Sequence, residues 1–268
     1  MRIDDEVELA RAVVPLDATG GNHRRLLAAI GDARFVLLGE ASHGTHEFYR
    51  ERARITQRLI LDEGFDALAV EADWPDAHRV HRFIQGTSDA RTPEDALATF
   101  DRFPRWMWRN RDVCELVGWL RTNTPWVGFY GLDLYSLHRS IEVVLECLEE
   151  VDPEAAERAR ARYGCFEQFG KSTDTYAYAT GMGLSPACRE QVTQQLVEMQ
   201  QRKLELVRSE AAASEQDAAF QLEMNARLVK SAEEYYRSMF GGSVLTWNLR
   251  DTHMADTLAE VAAHLDRK

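Results

Sequence analysis

Three short apolar runs, each passing into an acid and each separated from the next by helical sequence, constrain this chain more than any other feature. Phe35-Val-Leu-Leu38 stops at Gly39-Glu40, Ala67-Leu-Ala-Val70 runs into Glu71, and Trp126-Val-Gly-Phe-Tyr130 leads to Gly131-Leu132-Asp133. Runs this short, bounded by turn residues, read as buried strands. Between them, Phe48, Ile55 and Leu59 form one helical stripe from His46 to Glu63, closed by Gly64. Trp74-Pro75 opens a further helix through Phe83, with proline in a permitted first-turn position, and Val113 to Arg121 is again helical. Apolar strands alternating with helices predict an α/β fold, a parallel sheet flanked by helices on both faces.

The composition changes after Glu150. From Asp152 to Phe240 only helical patterns occur. Leu196, Met199, Lys203 and Leu206 share one stripe, and Leu222, Val229, Ala232 and Tyr236 another. They predict a large all-helical insertion built on a long helical hairpin, or one helix running through. The expected organisation is therefore an α/β sheet domain over 1–150, a helical insertion or lid over 151–240, and a helix returning to the sheet over 241–268. Glu6 to Val14 and Asn22 to Ala29 read as short opening helices. Three strands make a narrow sheet, so the chain reads as the first part of a longer protein, and an unfinished sheet edge suits pairing in a homo-oligomer.

Parallel strands place their C-terminal ends on one edge, where open α/β sheets form ligand crevices. Glu40, Glu71 and Asp133 fall there together. His43, three residues after Glu40 in the strand-to-helix turn, is placed to act as general base on water, with a carboxylate fixing its tautomer. Arg52 lies on the apolar stripe of the following helix and needs an acidic partner, Glu40 or Glu71, because an unpaired buried charge is costly. His46 reads as a rim residue in the first helical turn. Trp74, Trp106 and Trp108 either line an apolar substrate pocket or belong to the core. His78 and His81, three apart, read as solvated helix histidines.

The net charge of -12 and pI near 5.2 exclude a basic nucleic-acid footprint. No apolar run reaches the roughly 20 residues that span a bilayer, and the acidic N-terminus lacks signal-peptide character, so a cytoplasmic location is expected. Cys114, Cys147, Cys165 and Cys188 show no pairing pattern and read as free thiols. The chain has no G-x-S-x-G elbow, H-E-x-x-H motif, P-loop or G-x-G-x-x-G fingerprint.

Four segments in order, GEASHGTHEF (Gly39–Phe48), VEADWPD (Val70–Asp76), YGLDLYS (Tyr130–Ser136) and WNLRDTHMA (Trp247–Ala255), resemble the erythromycin esterase family. The resemblance implies a hydrolase acting on carboxylic ester bonds, in some members a macrolide lactone linked to antibiotic resistance, with no serine nucleophile and no cofactor. It implies His43 as the water-activating histidine, Glu40 and Glu71 as acids and Arg52 as the active-site arginine. His46, Trp74, Trp108 and Asp133 are assigned to a small-molecule ester or lactone. The family continues beyond the WNLRD helix to a histidine-bearing motif that His253 and His264 do not match. A metal-dependent hydrolase using Glu40, His43, Glu71 and Asp133, and a non-catalytic binding module, stand as alternatives.

Overall fold

The computed structural model describes residues 23–102, 104–209 and 211–266. The helix expected over Glu6–Val14 lies outside them. Among the described residues the chain is mostly helical and carries one two-stranded parallel sheet, β1 (Ala67–Asp73) with β2 (Gly128–Asp133).

The chain enters through α1 (His23–Ile30) and an extended stretch, then α2 (His46–Glu63). Gly64 ends α2 in the left-handed conformation, φ 76°, its N–H bonding back to Leu59. After β1, α3 (Trp74–Ile84) starts directly on the strand end, with Pro75 in its first turn. The short α4 (Pro93–Leu97) and α5 (Arg111–Asn123) follow, capped by Thr92 and Asn110, whose side chains accept from Asp95 N and Val113 N. After β2 come α6 (Leu137–Val151), α7 (Pro153–Tyr163), α8 (Thr173–Gly181), α9 (Arg189–Arg208), α10 (Ala213–Ser238) and α11 (Ser243–Leu265). No described helix is long and apolar enough to cross a membrane.

Successive residues of a strand face opposite sides, and β2 has a core on each. Phe129 joins a cluster with Val70, Val80, Phe83, Val117 and Leu120. Tyr130 joins a larger one with Trp74, Leu137, Phe220, Met224 and Val229. The helical hairpin α9–α10 thus shares its core with the sheet.

Three expectations are corrected. Phe35–Leu38 forms no ladder with β1: Val36 and Leu38 pack toward Leu27, Ile55 and Leu59, while Phe35 is 48% and Leu37 86% exposed. The segment has the alternation of a half-buried strand, but an apolar pattern records burial, and pairing also needs a backbone edge brought within hydrogen-bonding distance. The strand placed at Trp126–Tyr130 begins at Gly128 and runs through Asp133. Finally, Cys165 and Cys188 form a disulfide, Cα–Cα 5.8 Å, tying the 3₁₀ turn Gly164–Phe169 to the start of α9; Cys114 and Cys147 are free. Their separation of 23 residues carries no local signal, because a tertiary turn brings them together.

The β1–β2 register runs Ala67↔Gly128 through Val70↔Gly131 and resumes at Asp73↔Asp133. Between those pairs Glu71 and Ala72 oppose Leu132 alone, a β-bulge on β1. Glycine is required opposite it: a Cβ on Gly131 would lie 2.5 Å from the Ala72 carbonyl and 2.6 Å from that of Asp73. The bulge therefore sets where the Glu71 side chain leaves the strand.

Candidate active site

A cavity of about 380 Å³ lies against β1 and the Val36–Glu40 stretch. Four consecutive residues, Leu68 to Glu71, line it. Because alternate strand residues face opposite ways, a cavity touching all four follows the edge of the strand that is not paired with β2. Val36, Leu38, Trp108 and Phe129 supply apolar wall, and Glu40, His43, Arg52, Glu71 and Asp112 are the charged or titratable groups beside the Tyr49 and Thr56 hydroxyls. A second cavity of about 180 Å³ is lined by Asp73, Asp76, Arg102, Asp133, Tyr135 and Arg250. His43, Glu71, Met107 and Trp108 line both, so the histidine stands where an apolar chamber meets a charged one.

The turn carrying His43 depends on Gly44, at φ 83°, where a Cβ would meet the Trp106 ring at 2.8 Å. Ser42 and Thr45 hydroxyls bond across the same turn at 2.8 Å. Glu40, with a side chain only 7% exposed, divides its carboxylate between two partners. Oε1 takes His43 Nδ1, and Oε2 pairs with Arg52 NH1 at 2.9 Å. The Arg52 guanidinium lies 4.8 Å from the Tyr49 ring centroid. With Nδ1 committed to Glu40, Nε2 is the nitrogen left for proton transfer, on a 45% exposed side chain that lines both cavities.

Glu71 is fixed from two directions. Trp108 Nε1 donates to its carbonyl at 3.2 Å, and Arg250 of α11 donates to its Oε1 at 2.6 Å. Arg250 also grips Asp133 with a bidentate pair, 2.9 Å to Oδ1 and 2.8 Å to Oδ2. Those hydrogen bonds, Asp133 first, hold the guanidinium above its already high pKa. Arg102 pairs with Asp73 at 3.4 Å and Asp133 at 3.7 Å, its guanidinium 4.1 Å from the Tyr135 ring centroid. Burial pushes Asp73 up to about 6 against the opposing pull of Arg102. Burial, with Asp73 adding repulsion, pushes Asp76 up to about 7.

The structure thus brings Glu40, His43, Arg52, Glu71, Trp108 and Asp133 around two joined cavities. His46 pairs with Asp112 at 2.7 Å and stays 57% exposed beside the larger one. Trp74 is corrected: it is 2% exposed, packs tilted against Tyr130 and edge-on to Phe220, donates to Gln221 at 2.9 Å, and lines neither cavity. His78 and His81 are corrected too. They stack against each other at 5.8 Å, burial holds His78 down to about 3, and His81 Nδ1 accepts from Phe129 N. Among the described residues no three His, Cys, Asp or Glu side chains converge as a metal site. Sequence reasoning missed Arg102, Arg250 and Asp76. Arg250 and Asp76 stand inside two of the segments that carried the resemblance, whereas Arg102 had no signal.

The chain matches the erythromycin esterase family over residues 60–268, which includes Glu71, Asp133 and Arg250 and begins after Glu40, His43 and Arg52. It is 27% identical over 157 residues to the Bacillus subtilis (strain 168) protein named "Putative hydrolase YbfO", covering 56% of this chain and 33% of that one. Among solved structures it resembles a succinoglycan biosynthesis protein, with TM-score 0.65, 18% identity, and 92% of this chain covering 57% of the other. It also resembles the erythromycin esterase EreC, a histidine-to-asparagine mutant in its open conformation, with TM-score 0.59, 19% identity, and 90% covering 60%. At these identities the solved structures speak to fold alone. The chain spans a third of the curated relative and under two thirds of the solved ones.

Proposed function

Because the chain belongs to the erythromycin esterase family, we propose that it hydrolyses a carboxylic ester or lactone by general-base attack of water, with His43 as the base. The observation that carries this reading is the split of the Glu40 carboxylate between His43 Nδ1 and Arg52, with His43 lining both cavities. A base whose far nitrogen is held by a carboxylate keeps one tautomer and gains stabilisation as it becomes imidazolium.

In this scheme a water hydrogen-bonded to Nε2 attacks the substrate carbonyl carbon as Nε2 takes its proton. Glu40 stays ionised and fixed by Arg52. Glu71, held by Arg250 and the Trp108 indole, orients the water from the other side. The apolar chamber takes a hydrocarbon part of the substrate and Trp108 forms wall in both chambers. His46 and Asp133 act at one remove, His46 outside the larger cavity and Asp133 as the anchor of Arg250.

The test is a panel of carboxylic esters and lactones, macrolides among them, assayed with wild type, His43→Ala and Glu40→Gln. General-base catalysis is typically worth about 10²–10⁴-fold, so His43→Ala should lose at least about 100-fold in kcat. Full activity in His43→Ala would overturn the assignment.

A further inference from the structure

The smaller cavity holds one acid that neither water activation nor an ion pair among the described residues engages. Of its four carboxylates, Glu71, Asp73 and Asp133 are each paired with Arg250 or Arg102. Among the described residues no cation forms an ion pair with the fourth, Asp76. It stands in the first turn of α3, three residues beyond the end of β1, and lines the same cavity as His43.

We propose that Asp76 is the general acid of the reaction, delivering its carboxyl proton to the leaving oxygen as the acyl C–O bond breaks. This rests on the hydrolytic reading above. The charges facing Asp76 are Asp73 at the strand end, Arg102 in the loop before α5 and Arg139 on α6, with the Thr99 hydroxyl as hydrogen-bond partner. Burial and Asp73 together outweigh the two arginines and Thr99 and raise the carboxyl to about 7. An acid kept protonated near neutrality beside a separate base is how one site divides acid and base roles between two groups.

The proton count closes. Water gives one proton to His43 Nε2 and its hydroxide to the carbonyl carbon. The tetrahedral intermediate collapses, the C–O bond breaks with its electron pair going to oxygen, and that oxygen takes the Asp76 proton and departs as an alcohol. The imidazolium proton then returns to Asp76 through water in the shared cavity, resetting both groups.

The test uses two esters of one acid, ethyl butyrate and p-nitrophenyl butyrate. Ethoxide is a strong base and needs a proton to leave, whereas nitrophenolate does not. Asp76→Asn, which keeps shape and removes the acid, should raise the kcat/KM ratio of the nitrophenyl to the ethyl ester by about 10²–10⁴-fold. A ratio within about 3-fold of wild type, whether both rates fall or neither does, overturns the assignment, being far below what loss of a general acid produces. His43→Ala assayed in parallel separates the two claims, since undiminished hydrolysis there refutes the base and leaves the Asp76 ratio to be read by itself. Difference infrared titration of wild type against Asp76→Asn reads the proton without turnover. A protonated-carboxyl band titrating near pH 7 supports the proposal, and its absence at pH 6 or below overturns it.

Discussion

Replacing Arg250 with glutamine tests whether α11 is fastened to the sheet through charge. The arginine makes three hydrogen bonds of 2.6–2.9 Å, two to Asp133 and one to Glu71. Asp133 is 1% exposed and Arg250 14%. Without the guanidinium, Asp133 keeps the Leu134 N–H at 2.9 Å and the half-exposed Arg102 at 3.7 Å. Breaking a buried pair from one side typically costs 3–5 kcal/mol, because the surviving charge is left desolvated. Arg102 offsets part of that, so the expected loss is about 3 kcal/mol, the lower end of the range. At roughly 2–4 °C per kcal/mol for a domain of this size, the thermal midpoint should fall by about 6–12 °C. Circular dichroism melts of wild type, Arg250→Gln, Asp133→Asn and the double variant measure it. The double variant should be more stable than the two single losses summed, by at least about 1 kcal/mol, as contacting residues are. Additive losses, or a midpoint shift under about 2 °C, would refute the view that this charge pair holds the helix.

Asp76→Asn should also change stability with a defined pH sign. An acid whose folded pKa is raised, here to about 7 from 3.8, contributes stability that is fully present below about pH 4 and is lost as the pH climbs through 7. The asparagine variant should therefore melt higher than wild type at pH 8, by about 1–3 kcal/mol after discounting solvent screening, and show no gain at pH 4; a larger gain at pH 4 than at pH 8 reverses the sign and refutes it. Gly131→Ala drives a methyl into the Ala72 and Asp73 carbonyls, and overpacking of this kind costs about 1–3 kcal/mol; an unchanged melt and unchanged hydrolysis would show that the bulge does not set Glu71. Cys188→Ser removes the Cys165 bond across 23 residues, worth about 3 kcal/mol on loop-closure grounds. Reductant should lower the wild-type midpoint to that of the variant and leave the variant unmoved.

Much of the candidate site was legible locally. Glu40 and His43 are three residues apart in one turn, and Arg52 follows on the next helix at a position whose burial demanded a carboxylate. Glu71 and Asp133 were found because each ends an apolar run, and strand ends converge when strands are parallel. What the sequence could not show was which of two acids Arg52 would choose, or that Glu71 belongs to Arg250, a residue far along the chain and on the last described helix. Trp74 shows the same limit from the other side. Its position after a strand end suggested the cleft, but the first turn of α3 points the indole toward Phe220 of α10 and away from both cavities.

Local sequence carried most of the helices, the two strands that pair and the acids at their ends, and the histidine in its turn, because periodicity, capping and turn chemistry act over a few residues. Tertiary structure alone decided that Phe35–Leu38 forms no ladder with β1, that Cys165 meets Cys188, and that Arg102 and Arg250 pair with three of the acids around the smaller cavity and leave Asp76 without an ion pair among the described residues. Those outcomes depend on which surfaces meet in space, and burial and charge at a distance of a few ångströms have no imprint on residues that lie up to 179 positions apart.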